Sequence, residues 1–257
     1  FLSPKAGLNY NISKYFNVRT NFSIAYKEPK VSDWYNRNSG PNQNQVYSTP
    51  GVELKQYQEL DPEKATTYEV GVAYDGIIFD VDLNLYHTAY EDKIERVTDE
   101  ILGQLTINAG KAVHKGIELD FSTNYQQIDF SLSSTLANNR WESMNYQKIF
   151  NENASDVKNK VVPFSPEKMA SFKLGYTFEK LPLDGKLRIG TSMKWWDDYY
   201  GSYTNKYTVL DSVGNLIVQK DAKLPYYLQN DLNFKYDMKI AGHPASVKLD
   251  LNNIFSR

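Results

Sequence analysis

The chain has 257 residues, with 29 Lys and Arg against 31 Asp and Glu and no Cys. It therefore has no bulk basic field of the kind nucleic acid selects, and no disulfide framework, Cys-based zinc site, iron–sulfur cluster or thiol nucleophile. The outlier is aromatic content: 20 Tyr, 12 Phe and 4 Trp make up 14% of the chain, a bias towards β structure.

Taken in chain order, the elements repeat a two-residue alternation and little else. Ala6, Leu8 and Tyr10 mark the first strand and Phe16 to Tyr26 the second. After the long polar stretch Lys27 to Lys64 come Thr67 to Tyr74, then Gly76 to Tyr90, where Ile77, Phe79, Val81, Leu83 and Leu85 alternate with Asp80, Asp82, Asn84 and Tyr86. Ile117, Leu119 and Phe121 alternate with Glu118 and Asp120, and Ile128 to Leu136 follows. Met169 to Tyr176, Leu187 to Trp195, Leu228 to Tyr236 and Val247 to Leu251 bring the count to about ten strands.

The connections alternate in length. Short polar turns are expected at Asn11 to Lys14, Tyr74 to Gly76, Tyr125 to Gln127, Glu179 to Gly185 and Ala241 to Pro244. Long segments lie between: Lys27 to Lys64, roughly Glu95 to Leu105, Asn138 to Pro166 and Tyr199 to Leu224. Within the last, Thr208 to Val218 reads as a small hairpin turning at Gly214-Asn215. Long loops at one end and short turns at the other are unusual in compact soluble domains and regular in outer-membrane barrels. No run of about 18 apolar residues exists to make a spanning helix, but barrel strands need only about 9 to 11 residues of alternating character.

Alternation alone leaves two architectures open. In an antiparallel transmembrane β-barrel the stripe Phe79, Val81, Leu83 and Leu85 faces lipid, whereas in a soluble β-sandwich it packs against a second sheet. Aromatics near strand ends, namely Tyr86, Tyr90, Trp195, Trp196, Tyr199, Tyr200, Tyr226 and Tyr227, fit an interfacial girdle. The chain starts at Phe1 without Met or signal peptide and stops at Arg257 just after a strand-like run, so it reads as a piece of something longer.

Particular phrases carry a family resemblance. Leu60-Asp61-Pro62-Glu63, running on to Tyr68-Glu69-Val70-Gly71, resembles the "L-x-P-E…Y-E-x-G" signature of TonB-dependent outer-membrane receptors, in the Bacteroidetes style. Ser3-Pro4-Lys5-Ala6-Gly7, Tyr26-Lys27-Glu28-Pro29, Asn108 to Leu119 and Leu249 to Phe255 are similar to further barrel phrases of that family, in the family's order. The resemblance implies that residues 1–257 form a single domain, the C-terminal part of an all-β, up-and-down barrel of about 22 strands, without its plug domain and final strands. Family members end in an aromatic residue, and Arg257 is not one.

The resemblance also implies a function: an outer-membrane receptor that takes up a scarce ligand with energy delivered by TonB. A ferric siderophore or other iron chelate comes first, with cobalamin or an oligosaccharide behind. The bacterial outer membrane, its lipid and TonB are the implied surroundings; a surface lipoprotein cap is an open question, and nucleic acid is not a partner. The rival reading is a secreted β-sandwich that binds carbohydrate or acts as an adhesin, with the aromatics as a stacking platform.

Enzyme chemistry finds no foothold. His87 sits on the apolar register of a strand, His114 where a loop enters a strand and His243 in a turn, and no nucleophile elbow, P-loop or zinc-helix motif occurs. No catalytic residue, cofactor or metal site is assigned. Asp80 with Asp82, and Glu118 with Asp120, read as solvated carboxylates on the polar face. Candidate ligand contacts lie in the long loops: Trp34, Tyr35 and Arg37; Trp141; and the run Trp196, Asp197, Asp198, Tyr199 and Tyr200. Aromatic faces beside acids suit a cationic, metal-bearing or sugar ligand. Haem receptors of the family place a His after the "F-R-x-P" segment, and none stands between Lys27 and Lys64.

Overall fold

The computed structural model describes residues 2–30, 35–36, 40–41, 60–99, 103–144, 157–210 and 216–255. Ten long strands form one antiparallel sheet: β1 (Lys5–Asn11), β2 (Phe16–Lys27), β3 (Glu63–Asp75), β4 (Phe79–Glu91), β5 (Gly110–Tyr125), β6 (Ile128–Met144), β7 (Lys168–Leu181), β8 (Gly185–Trp196), β9 (Tyr227–Ile240) and β10 (His243–Leu251). Spatial order follows chain order from β1 to β10. The alternation read from the sequence is the cause, because each strand has one face that must leave water and one that need not.

The register fixes the faces. Val18 pairs with Val72, Val72 with Leu83, and Leu83 with Leu119, so one apolar stripe runs sideways from strand to strand. No second sheet covers it among the described residues. Val70 remains 50% exposed, Leu85 48% and Leu249 53%, and Val81 and Leu83 are only half-buried. A sandwich would have buried these side chains; the stripe instead awaits an apolar solvent, which is the condition of a lipid-facing barrel wall.

Turns and loops segregate as expected, with local differences. Ala241 and Gly242, at φ 51° and 83°, form the two-residue loop between Ile240 and His243, where two positive φ values match the twist of the flanking strands. Ile77 and Ile78 lie in the turn, not in the strand, and β4 begins at Phe79; Ile77 is 85% exposed. At the other end the strands outrun the alternation: β5 starts at Gly110 and β6 continues to Met144, which puts His114 inside a strand. The Glu95 to Leu105 loop is mostly a hairpin, Ile94–Asp99 with Gly103–Asn108. The second expected hairpin is present as Lys206–Leu210 with Leu216–Asp221, and its Gly214-Asn215 turn lies outside the described residues.

The only buried apolar cluster among the described residues sits at the long-loop end. Trp141 is fully buried, surrounded by Ile107, Ala109, Ala112, Met144, Val157 and Val162, with Tyr90 and Tyr203 packed against them.

Candidate functional site

The polar face comes first, because it lines whatever a barrel encloses. Arg19 on β2 reaches across β3 to Asp82 on β4 through paired contacts at 2.6 and 2.5 Å. Gly71 lies between them, and a Cβ there would come within 2.7 Å of the guanidinium carbon. The absent side chain is what lets the arginine cross a strand. The device recurs: Arg188 on β8 crosses β7 at Gly175 to reach Asp129 on β6, with one contact at 3.0 Å. Its other amine donates to Asn233 on β9 at 2.7 Å, past Gly190. These long-range partners were not read from the sequence; glycines on the polar register were the available signal.

Charge on this face is divided. From β3 to β6 it carries acids and no Lys or Arg, and a recess near the short turns is lined by Asp75, Asp80, Asp82 and Asp120 with Ser131 and Ser133. On β7 and β8 it turns basic, with Lys173, Lys186, Arg188 and Lys194. Asp80, Asp82, Glu118 and Asp120 thus all lie on the polar face, with Asp82 claimed by Arg19.

At the long-loop end, polar side chains weld separate loops to the Trp141 cluster. Asn205 accepts from Val161 N–H at 2.7 Å and donates to Val161 C=O at 2.9 Å. Asn108 accepts from Asp61 N–H at 2.8 Å and donates to the carbonyls of Asp61 and Asp92 at 2.8 and 2.7 Å. The buried Glu63 carboxylate accepts from Ile94 N–H at 2.8 Å. Lys93 Nζ lies 5.7 Å from the Trp141 ring centroid and 5.8 Å from that of Tyr90. Trp141, expected as a ligand contact, is placed at the hub of this knot with its ring out of reach of solvent.

The remaining expected contacts divide as follows. Trp34 and Arg37 lie outside the described residues; Tyr35 is placed only by its backbone pairing with Pro41. Trp196 stacks on Tyr227 at 4.1 Å and 16°, both on the polar face, while Trp195 turns to the apolar one. Tyr86 and Tyr90 also lie on the polar face, so these four rings do not belong to an interfacial girdle. A lipid-side aromatic series exists instead at the short-turn end, where Tyr15, Tyr74, Phe79, Phe121 and Phe130 follow one another at 5.1 to 6.3 Å.

Asp197 and Asp198 each have a lysine partner. Asp197 meets Lys168 at 3.5 Å, and both Asp198 oxygens accept from Lys223 at 3.0 Å. That hydrogen bond holds the Lys223 ammonium above its ordinary range. Lys223 also stands 5.5 Å from the Tyr200 ring centroid, and Tyr199 packs against Phe164 at 6.4 Å. Lys223 therefore draws Asp198 and Tyr200 into one cluster, with Trp196 and Tyr227 as the half-exposed aromatic pair below it. Among the described residues no group of three or more His, Asp or Glu could hold a metal ion.

Comparison with known proteins matches this architecture. The family model described as TonB dependent receptor-like, beta-barrel covers residues 1–254. An uncharacterized TonB-dependent receptor of Haemophilus influenzae is 25% identical over 204 residues, 77% of this chain and 52% of that protein. The probable TonB-dependent siderophore receptor PiuA of Acinetobacter baumannii is 25% identical over 205 residues, 74% of this chain and 26% of its own length. The crystal structure of PiuA superimposes with a TM-score of 0.66 at 16% identity, over 99% of this chain and 32% of that one. That of the copper transporter OprC gives 0.64 at 16% identity, over 98% and 33%. The chain thus spans about half of the first curated relative and about a quarter of the second. With ten strands in chain order, an uncovered apolar face and a family match over nearly every residue, this chain belongs to the β-barrel of the TonB-dependent receptors, outer-membrane proteins that are not enzymes.

Proposed function

We propose that the intact receptor binds a scarce ligand at its long-loop end and imports it with energy from TonB, and that the ligand is an iron chelate of the ferric siderophore class. The observation that carries the reading is the Trp196–Tyr227 stack: two parallel rings, half-exposed, on the polar face where strand gives way to loop. Such a pair offers a flat surface to an aromatic or amide-rich chelate. Tyr199, Tyr200 and the Lys223–Asp198 clip border it, and Trp34, Tyr35 and Arg37 of the first long loop remain candidate contacts by residue type alone. Trp141, buried in the loop-end cluster, is left out of this surface. The name of PiuA, a siderophore receptor, points the same way.

The test is equilibrium binding to the full-length receptor in detergent, followed by intrinsic fluorescence, with hydroxamate, catecholate and citrate complexes of iron(III) as probes. Trp196→Ala should weaken the best of these by roughly tenfold, the loss of one stacking contact of about 1.4 kcal/mol. Unchanged affinity for every chelate would remove Trp196 from the site. Failure of wild type to bind any of them would remove iron chelates as the ligand class.

A further inference from the structure

The outward face holds a feature that neither the barrel nor the ligand site explains. From the short turns up to Leu85, Ile117 and Leu136, no charged side chain stands on the apolar register of β2 to β9. One step higher, His87 pairs with Lys115. Beyond them on the same face come Lys111 on β5, Arg140 on β6 and, on β3 and β4, Lys64 and Glu91, which meet each other at 3.3 Å; Lys168 on β7 stands beside Leu136.

Height identifies this level. Phe79, in the aromatic series at the short-turn end, and His87 are eight residues apart on one strand. At about 3.4 Å per residue and a tilt of about 40°, that is roughly 20 Å, close to the height of a barrel's apolar band. His87 and Lys115 therefore emerge at the upper, headgroup level of the bilayer.

The cations here are not all neutralised. Arg140 meets Glu167 at 2.6 Å and Lys168 meets Asp197 at 3.5 Å. Lys111 and Lys115, both exposed, make no side-chain ion pair or hydrogen bond among the described residues. They lie four residues apart on one strand, with Val113 between them facing the same way. A strand spacing of about 13 Å lets two such side chains converge on one anionic group or hold two groups of one molecule. Unpaired ammonium groups at the edge of an apolar band attract lipid phosphate, which is multiply ionised and brings its own acyl chains to cover the stripe below.

We propose that Lys111 and Lys115, with His87 beside them, form a binding site for the phosphate-bearing headgroup of an outer-leaflet lipid, its acyl chains lying along Leu85, Ile117 and Leu136. The site is on the opposite face of the sheet from the ligand surface and does not depend on which ligand the receptor imports.

The experiment uses full-length receptor in detergent, loaded with bisphosphorylated lipid A or with the same lipid stripped of its phosphates, and reads bound lipid per receptor by native mass spectrometry. Wild type should retain the phosphorylated form and not the stripped one. The double substitution Lys111→Gln, Lys115→Gln should lower retention roughly 10- to 30-fold, while Lys111→Arg, Lys115→Arg should keep it. Undiminished retention in the glutamine variant, or equal retention of the stripped lipid, would overturn the proposal. Displacement of bound lipid A by millimolar inorganic phosphate alone would also overturn it, since that marks a site for free anions and not for a lipid.

Discussion

At the residue scale the most consequential choice is a side chain that is missing. Gly71, Gly175 and Gly190 are central to their strands, where glycine ordinarily weakens pairing. Their cost is offset because each makes room for an arginine: at Gly71 and Gly175 it ties together strands that do not pair, and at Gly190 it reaches Asn233 on the neighbouring strand. Coupling between Arg19 and Asp82, both about one-third exposed, should be about 1 kcal/mol in a double-mutant cycle with Arg19→Gln and Asp82→Asn. The cycle can be read by urea unfolding of the receptor in lipid vesicles. Repeating it in a Gly71→Val background should bring the coupling close to zero, and a coupling that survives the valine would show that the gap is not needed. The glycines were visible in the sequence, but a partner two strands away was not, because period-2 patterning specifies a face and says nothing about reach along it.

At the element scale the strands divide into two parts with different solvents. Over the membrane-facing length the sequence alternates because lipid and lumen demand it, and there strand boundaries were legible to within a few residues. Above that level neither face meets hydrocarbon, the alternation lapses, and the continuation of β5 and β6 to Gly110 and Met144 could not be read. The Trp141 knot was hidden for the same reason. Its members come from the upper ends of β5 and β6 and from three connections distant in sequence, tied down by the side chains of Asn108 and Asn205, which composition alone marks as ordinary loop residues. Trp141→Ala should cost about 3 to 5 kcal/mol of local stability. Hydrogen exchange gives the check: the Asn159 and Val162 amides, bonded to the carbonyls of Trp141 and Asn139, should lose protection while Leu83 in β4 keeps it. Equal loss at both places would mean that the knot is not a unit of its own.

At the scale of the whole molecule, the two faces of the sheet should answer differently to the same insult. Leu83 lies midway between Phe79 and His87 on the outward face, near the bilayer centre. Leu83→Arg should destabilise the receptor in vesicles by roughly 2 to 4 kcal/mol. Ser133→Arg, on the polar face beside the acids of the recess, should cost less than about 1 kcal/mol by the same measurement. Comparable costs would contradict the assignment of outside and inside. The sandwich alternative failed on this distinction: the stripe that should have met a second sheet meets none among the described residues.

The order of the strands carries a further implication, for how the wall comes into being. Each strand pairs only with its neighbours in the chain, and five of the nine connections are turns of two to four residues. Hairpin closure of that kind is a local event of low contact order, fast compared with pairing across long separations. The wall can therefore grow hairpin by hairpin from either edge without any segment being threaded through another. The slow part is different in nature: the four remaining connections, polar and long, must all finish on the far side of the hydrocarbon. Passage of those loops is thus a demand on assembly separate from recognition between strands.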